Sequence, residues 1–61
     1  MPSAAESFMT IERIKIMVKK YGGQSDELAK LRQAYAFWYA APGDNMAYAL
    51  VLNELDRLEK L

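Results

Sequence analysis

The chain contains no cysteine and no histidine, and these two absences remove most of the familiar chemistries at once. Without cysteine there is no disulfide to staple a small domain and no thiolate to bind zinc. Without histidine, neither Ser/His/Asp nor Cys/His catalysis exists in its usual form. Charge of one sign is also not in excess: eight lysines and arginines balance eight aspartates and glutamates. The total therefore predicts no general attraction to nucleic acid or to an anionic membrane. No apolar run approaches the ~20 residues that a bilayer span requires. The opening residues, MPSAAESFMTIER, lack a basic segment followed by a long apolar one, so a cytoplasmic location is the expectation. Only three glycines and two prolines occur, and they act as punctuation between periodic segments.

The chain is 61 residues long, one domain at most, near the lower limit for folding unaided. A core of this size rarely supplies more than ~3–5 kcal/mol without a staple. Yet hydrophobic residues make up 52% of the chain, a high share for a protein that must leave much of its surface in water. With disulfides excluded, self-association or dense helix packing is what remains to stabilise it.

Three segments read as helix, giving an all-α fold: a helical hairpin plus a third helix after a Pro-Gly break. The first spans about residues 3–21. Ser3 and Glu6 form a capping-box pattern at its start, and Gly22-Gly23 ends it. The second spans about 26–41, opened by Ser25 or Asp26 and closed by Pro42-Gly43. The third spans about 45–60 and is capped by Asp44. Short connections favour antiparallel neighbours, although a bent continuous second arm would also satisfy the pattern. On the first helix Phe8, Ile11, Ile14, Val18 and Tyr21 form one seam, with Met17 beside it. The second helix carries Leu28, Leu31, Tyr35 and Trp38 flanked by Ala34 and Ala41, and the third Tyr48, Val51, Leu52, Leu55 and Leu58. Asp26–Lys30 and Asp56–Lys60 are expected as supporting i,i+4 pairs.

Apolar residues are left over. Four of the seven aromatics (one tryptophan, four tyrosines and two phenylalanines in all) crowd into Tyr35–Tyr39, and one short helix cannot hide them on one face. Tyr35 and Trp38 continue the core seam; Phe37 and Tyr39 do not. Met9 and Ile16, seven residues apart, lie off the seam of the first helix. Met9, Ile16, Phe37 and Tyr39 are therefore the expected partner or oligomer interface, in a non-enzymatic interaction module that binds itself and another protein as regulator, adaptor or inhibitor. Methionine adapts to a partner, and aromatic rings supply contact area at low entropic cost.

A basic cluster supports an alternative of a different class, a nucleic-acid-associated regulator. Arg13, Lys15, Lys19, Lys20, Lys30 and Arg32 would contact phosphates, although cations near a helix C-terminus also complement its dipole. A third reading is a small-ligand site lined by aromatics from several subunits. No catalytic residue, metal site or cofactor is expected: Asp44, Glu54, Asp56 and Glu59 have no metal-loop spacing, and Gly22-Gly23 lacks the features of a phosphate loop.

Residues 11–33, IERIKIMVKKYGGQSDELAKLRQ, resemble the first two thirds of the small helical-hairpin phosphatases that act on sporulation response regulators. That family carries serine-glutamine-glutamate-leucine-aspartate on its second helix. Here the aligned positions are Arg32-Gln33-Ala34-Tyr35-Ala36, which keep only the glutamine, so the phosphatase role is not carried over and no family is claimed.

Overall fold

The computed structural model covers residues 1–61 and contains α1 (Ala4–Tyr21), a 3-10 turn (Asp26–Leu28), α2 (Ala29–Ala40) and α3 (Asn45–Glu59). There are no strands, and the all-α architecture expected from the periodicity is what forms. Each boundary has a local cause. Ser3 Oγ accepts from the Glu6 N–H at 3.1 Å while the Glu6 carboxylate accepts from the Ser3 N–H at 3.0 Å, a complete capping box. α1 stops at Gly22, whose φ of 90° is accessible to glycine at little cost and lets its N–H reach the Val18 carbonyl at 2.8 Å. At the head of α3, Asp44 accepts from the N–H groups of Met46 and Ala47 at 2.9 and 3.3 Å.

The second helix starts later than expected. Neither Ser25 nor Asp26 caps it: the Ser25 hydroxyl donates backwards to the Gly22 carbonyl at 2.8 Å, and a single 3-10 turn precedes α2. α2 also ends one residue early, at Ala40, since the position before Pro42 is pushed out of helical geometry. The chain then folds back through Ala41–Asp44, so α2 and α3 pack side by side rather than continuing as a bent arm.

The core consists of Met17, Leu28, Leu31, Ala34, Trp38, Ala47, Val51, Leu55 and Leu58. α2 and α3 supply most of it: Leu31, Ala34, Trp38, Val51, Leu55 and Leu58 are as foreseen and Tyr35 and Tyr48 pack at its edge, but Ala47 is buried unforeseen and the expected Leu52 is only half-buried. α1 departs from its expected seam. Ile11, Ile14 and Tyr21 are partly buried against the core, but Phe8 and Val18 face water, and the fully buried positions are Thr10 and Met17. The true inward line is Thr10, Ile14, Met17 and Tyr21, spaced 4-3-4. A polar residue can occupy it because its hydroxyl is satisfied. Thr10 Oγ1 donates to the Glu6 carbonyl at 2.9 Å, which leaves it to accept from the Tyr48 hydroxyl at 2.9 Å.

α1 rests on α3 and the 3-10 turn, and its backbone makes no close approach to α2. An ion cluster fastens it: Arg13 donates to Glu59 at 2.7 and 2.8 Å and to Asp56 at 2.9 Å. The expected Asp56–Lys60 pair is therefore replaced by a contact between helices. Asp26–Lys30 does not form either, as Asp26 lies in the more tightly wound turn ahead of α2. The helical pairs that do form are Glu12–Lys15 and Glu54–Arg57, at 3.1 and 2.7 Å.

Candidate functional site

A helix turns by about 100° per residue, so the line that α1 buries fixes what it must show to water. With Thr10 and Met17 inward, Met9 and Ile16 fall together on the outward side and Phe8 lies on its flank. All three are more than half exposed, Phe8 at 64%, Met9 at 65% and Ile16 at 61%, and Val18 is 42% exposed. One helix thus shows four large apolar side chains to solvent and fully buries one, Met17; Met9, Ile16 and the flanking Phe8 form the outward strip, whereas Val18, two residues from Ile16, projects about 200° from it. Charges border this strip in an ordered way. Glu6 and Glu12 belong to its first half, and Lys15, Lys19 and Lys20 to its second.

Phe37 and Tyr39 are also exposed, but they do not join Met9 and Ile16 in one surface. Two residues apart on a helix, they project about 200° from one another. Phe37 faces α3 across a hollow of about 380 Å³ shared with Ala34, Leu50, Lys30 and Glu54. Tyr39 faces the other way, into a hollow of about 330 Å³ between the first half of α1 and the end of α2. Ser7 and Ile11 form one wall of that second hollow, Tyr35, Trp38 and Tyr39 the other, and Pro2 and Pro42 border it. The rings are interlocked: Tyr35 meets Trp38 edge-on with centroids 6.1 Å apart, and Trp38 lies 5.1 Å from Tyr48. The indole Nε1 of Trp38 is shut away from solvent and has no acceptor within the protein. Periodicity alone marks Tyr35 and Trp38 as core; it could not have revealed that their outer edges line a hollow.

The basic residues divide. Arg13 is committed to Glu59 and Asp56, and the hydrogen bonds from Arg13 hold the Glu59 carboxyl below its ordinary pKa while Glu59 in turn raises that of Arg13. Arg32 braces the connection between α1 and α2, donating to the carbonyls of Gly23 and Ser25 at 3.1 and 2.6 Å. Lys15 pairs with Glu12 at 3.1 Å. Lys20 lies 5.2 Å from the centre of the Tyr21 ring, a cation–π contact. Lys19 and Lys30 are exposed, but on different helices. The six residues therefore do not form one stripe of free cations.

No group of three or more carboxylates lies close enough to hold a metal ion, and no helix is long and apolar enough to cross a membrane. Comparison with protein-family models, with curated proteins and with solved structures finds no match for this chain.

Proposed function

We propose that the protein is a small, non-catalytic interaction module and that its contact surface is the outward strip of α1, with a second copy of the chain as the partner. The observation that carries this reading is the inversion on α1, where Met9 and Ile16 share the outward side with Phe8 on its flank, all three more than half exposed, and Met17 alone of the large apolar residues is fully buried. Covering such a strip removes apolar area from water, at about 25 cal/mol per Å². A chain without disulfide or metal gains more from that burial than a larger domain would.

Charge argues for a second copy. Glu6 and Glu12 lie in the first half of the helix, and Lys19 and Lys20, which pair with no carboxylate of the monomer, in the second. Two α1 helices laid antiparallel bring the acidic half of each against the basic half of the other, and set Met9 opposite Ile16. Laid parallel, they bring like charges together. An isologous two-fold contact of this kind closes on itself and leaves no sticky end. Nucleic acid has less to recommend it as a partner, since Arg13, Lys15 and Arg32 already have partners within the fold.

The absence of native cysteine makes the test direct. Met9→Cys and Ile16→Cys variants, mixed under mild oxidation, are expected to form the mixed disulfide in preference to either homodisulfide. Preferential Met9–Met9 position cross-linking would overturn the antiparallel arrangement, and no cross-linking in any combination would overturn the contact itself.

A further inference from the structure

Methionine is the only sulfur-bearing residue type of the chain, which has four of them and no cysteine, and the fold treats the four unequally. Met17 is sealed in the core at 5% exposure, whereas Met1, Met9 and Met46 stand in water at 83%, 65% and 68%. Met9 alone lies on the outward strip of α1. Met1 borders the hollow between α1 and α2. Met46 precedes Tyr48 by two residues on α3, and since the Tyr48 hydroxyl meets Thr10 of α1, Met46 projects about 200° away from that side. Building on the reading of the α1 strip as a self-contact, we propose that Met9 is an oxidation site that switches the contact off. A peroxide converts its thioether to the sulfoxide, and two oxidised copies no longer pair.

The chemistry needs only the oxidant. The sulfur lone pair attacks one oxygen of the peroxide and the O–O bond breaks. Hydroxide leaves and takes the proton of the new S–OH group as water, so the sulfur is oxidised and the peroxide reduced. No thiol competes for the oxidant, and an exposed thioether is its natural target. The two states of the protein respond differently. In the monomer the Met9 sulfoxide stands in water and changes little. In the antiparallel contact it is set opposite Ile16, whose side chain offers no hydrogen bond to the added oxygen. Burying an unpaired polar group is unfavourable, and the two-fold arrangement places two such groups in every dimer. The linkage also runs in reverse. The contact covers the Met9 sulfur, so association slows its oxidation while leaving Met46 open to attack.

The test treats the wild type and Met9→Leu with hydrogen peroxide and locates the sulfoxides by peptide mass spectrometry. Light scattering then reports solution mass, and circular dichroism reports helix content. Oxidised wild type is expected to keep its helices and to associate at least about tenfold more weakly. Methionine sulfoxide reductases should restore the dimer. Met9→Leu keeps the apolar area without the sulfur, and should stay dimeric after the same treatment even with Met46 oxidised. In the wild type, Met9 should oxidise more slowly as protein concentration rises, while Met46 keeps one rate. The switch is overturned, with the self-contact left standing, by an oxidised wild type that pairs as tightly as the reduced protein or that dissociates only by losing its helices. It is equally overturned by an oxidised Met9→Leu that dissociates as far as oxidised wild type, or by a Met9 rate indifferent to concentration. A reduced wild type that is monomeric at every concentration overturns the self-contact itself, and the switch with it.

Discussion

α1 and α3 are built from similar proportions of apolar residues and have opposite fates. On α3 a single line, Ala47, Val51, Leu55 and Leu58, is wholly removed from solvent at 0% exposure each. On α1 the inward line includes a threonine, and Phe8, Met9, Ile16 and Val18 stay exposed. α3 is thus the element that holds the monomer together, since it packs against both α1 and α2. α1 is attached through Met17, the Thr10–Tyr48 hydrogen bond and the Arg13 cluster, and it keeps apolar surface in reserve. The contrast teaches that apolar content does not by itself assign a helix to the core. Which line is buried is decided by what the neighbouring elements present.

Substitutions on the two helices should separate these roles. The largest effect is expected from Leu55→Ala, which opens a cavity where exposure is 0%. Such changes cost about 2–5 kcal/mol, and a chain with ~3–5 kcal/mol in hand will be largely unfolded by circular dichroism. A variant that melts cooperatively near the wild-type temperature would contradict the central place given to α3. Thr10→Val comes next, because it deprives the Tyr48 hydroxyl of its acceptor while keeping the shape. A loss of about 1 kcal/mol in urea unfolding is expected, whereas a gain would mean that α1 prefers an ordinary apolar seam.

The Arg13 cluster should matter less and should depend on pH. Hydrogen bonding from Arg13 lowers the Glu59 pKa below its ordinary value of 4.5. A carboxyl whose folded pKa is depressed contributes its full stability above the unfolded value and loses it as pH falls through the folded one. Stability should therefore begin to fall as pH drops towards 4.5 and go on falling through the depressed Glu59 pKa, and Arg13→Ala should flatten that fall. Some dependence will persist, because Glu6 is held low by the Ser3 N–H independently of Arg13. At neutral pH the same variant should lose at most about 1 kcal/mol, as the partners are partly exposed. Smallest of all, Lys19→Ala should change monomer stability by less than about 0.5 kcal/mol. If it weakens association, the charge pattern along α1 contributes to pairing.

Much of this organisation is legible in the chain. The three helices, the Ser3–Glu6 box, the stop at Gly22 and the Asp44 cap follow from short-range rules that act within four residues. Most of the core lines of α2 and α3 follow from periodicity, although Ala47, too small to stand out, is buried in place of the expected Leu52. What escapes is set at longer range. Thr10 reads as polar, and only its two hydrogen bonds, one of them to Tyr48 from a distant part of the chain, make it an inward residue. Choosing Phe8 and Val18 over Thr10 and Met17 rotates the whole helix. Arg13 and Arg32 read as free cations because helical spacing cannot show that a long side chain reaches α3 or a preceding carbonyl. Ser25-Asp26 reads as a cap because nothing local reveals that the Ser25 hydroxyl turns back to Gly22. Met9, Ile16, Phe37 and Tyr39 are all exposed, as their positions off the seams suggested, but they lie on three separate surfaces.

The most direct measurement of the central claim is solution mass by light scattering over a dilution series, for the wild type and for Ile16→Glu. The outward strip of α1 as a self-contact predicts a wild-type dimer that dissociates on dilution, and a folded Ile16→Glu monomer near 7.0 kDa. A wild-type protein that stays at 7.0 kDa at every concentration, or an Ile16→Glu variant that dimerises as the wild type does, would contradict it.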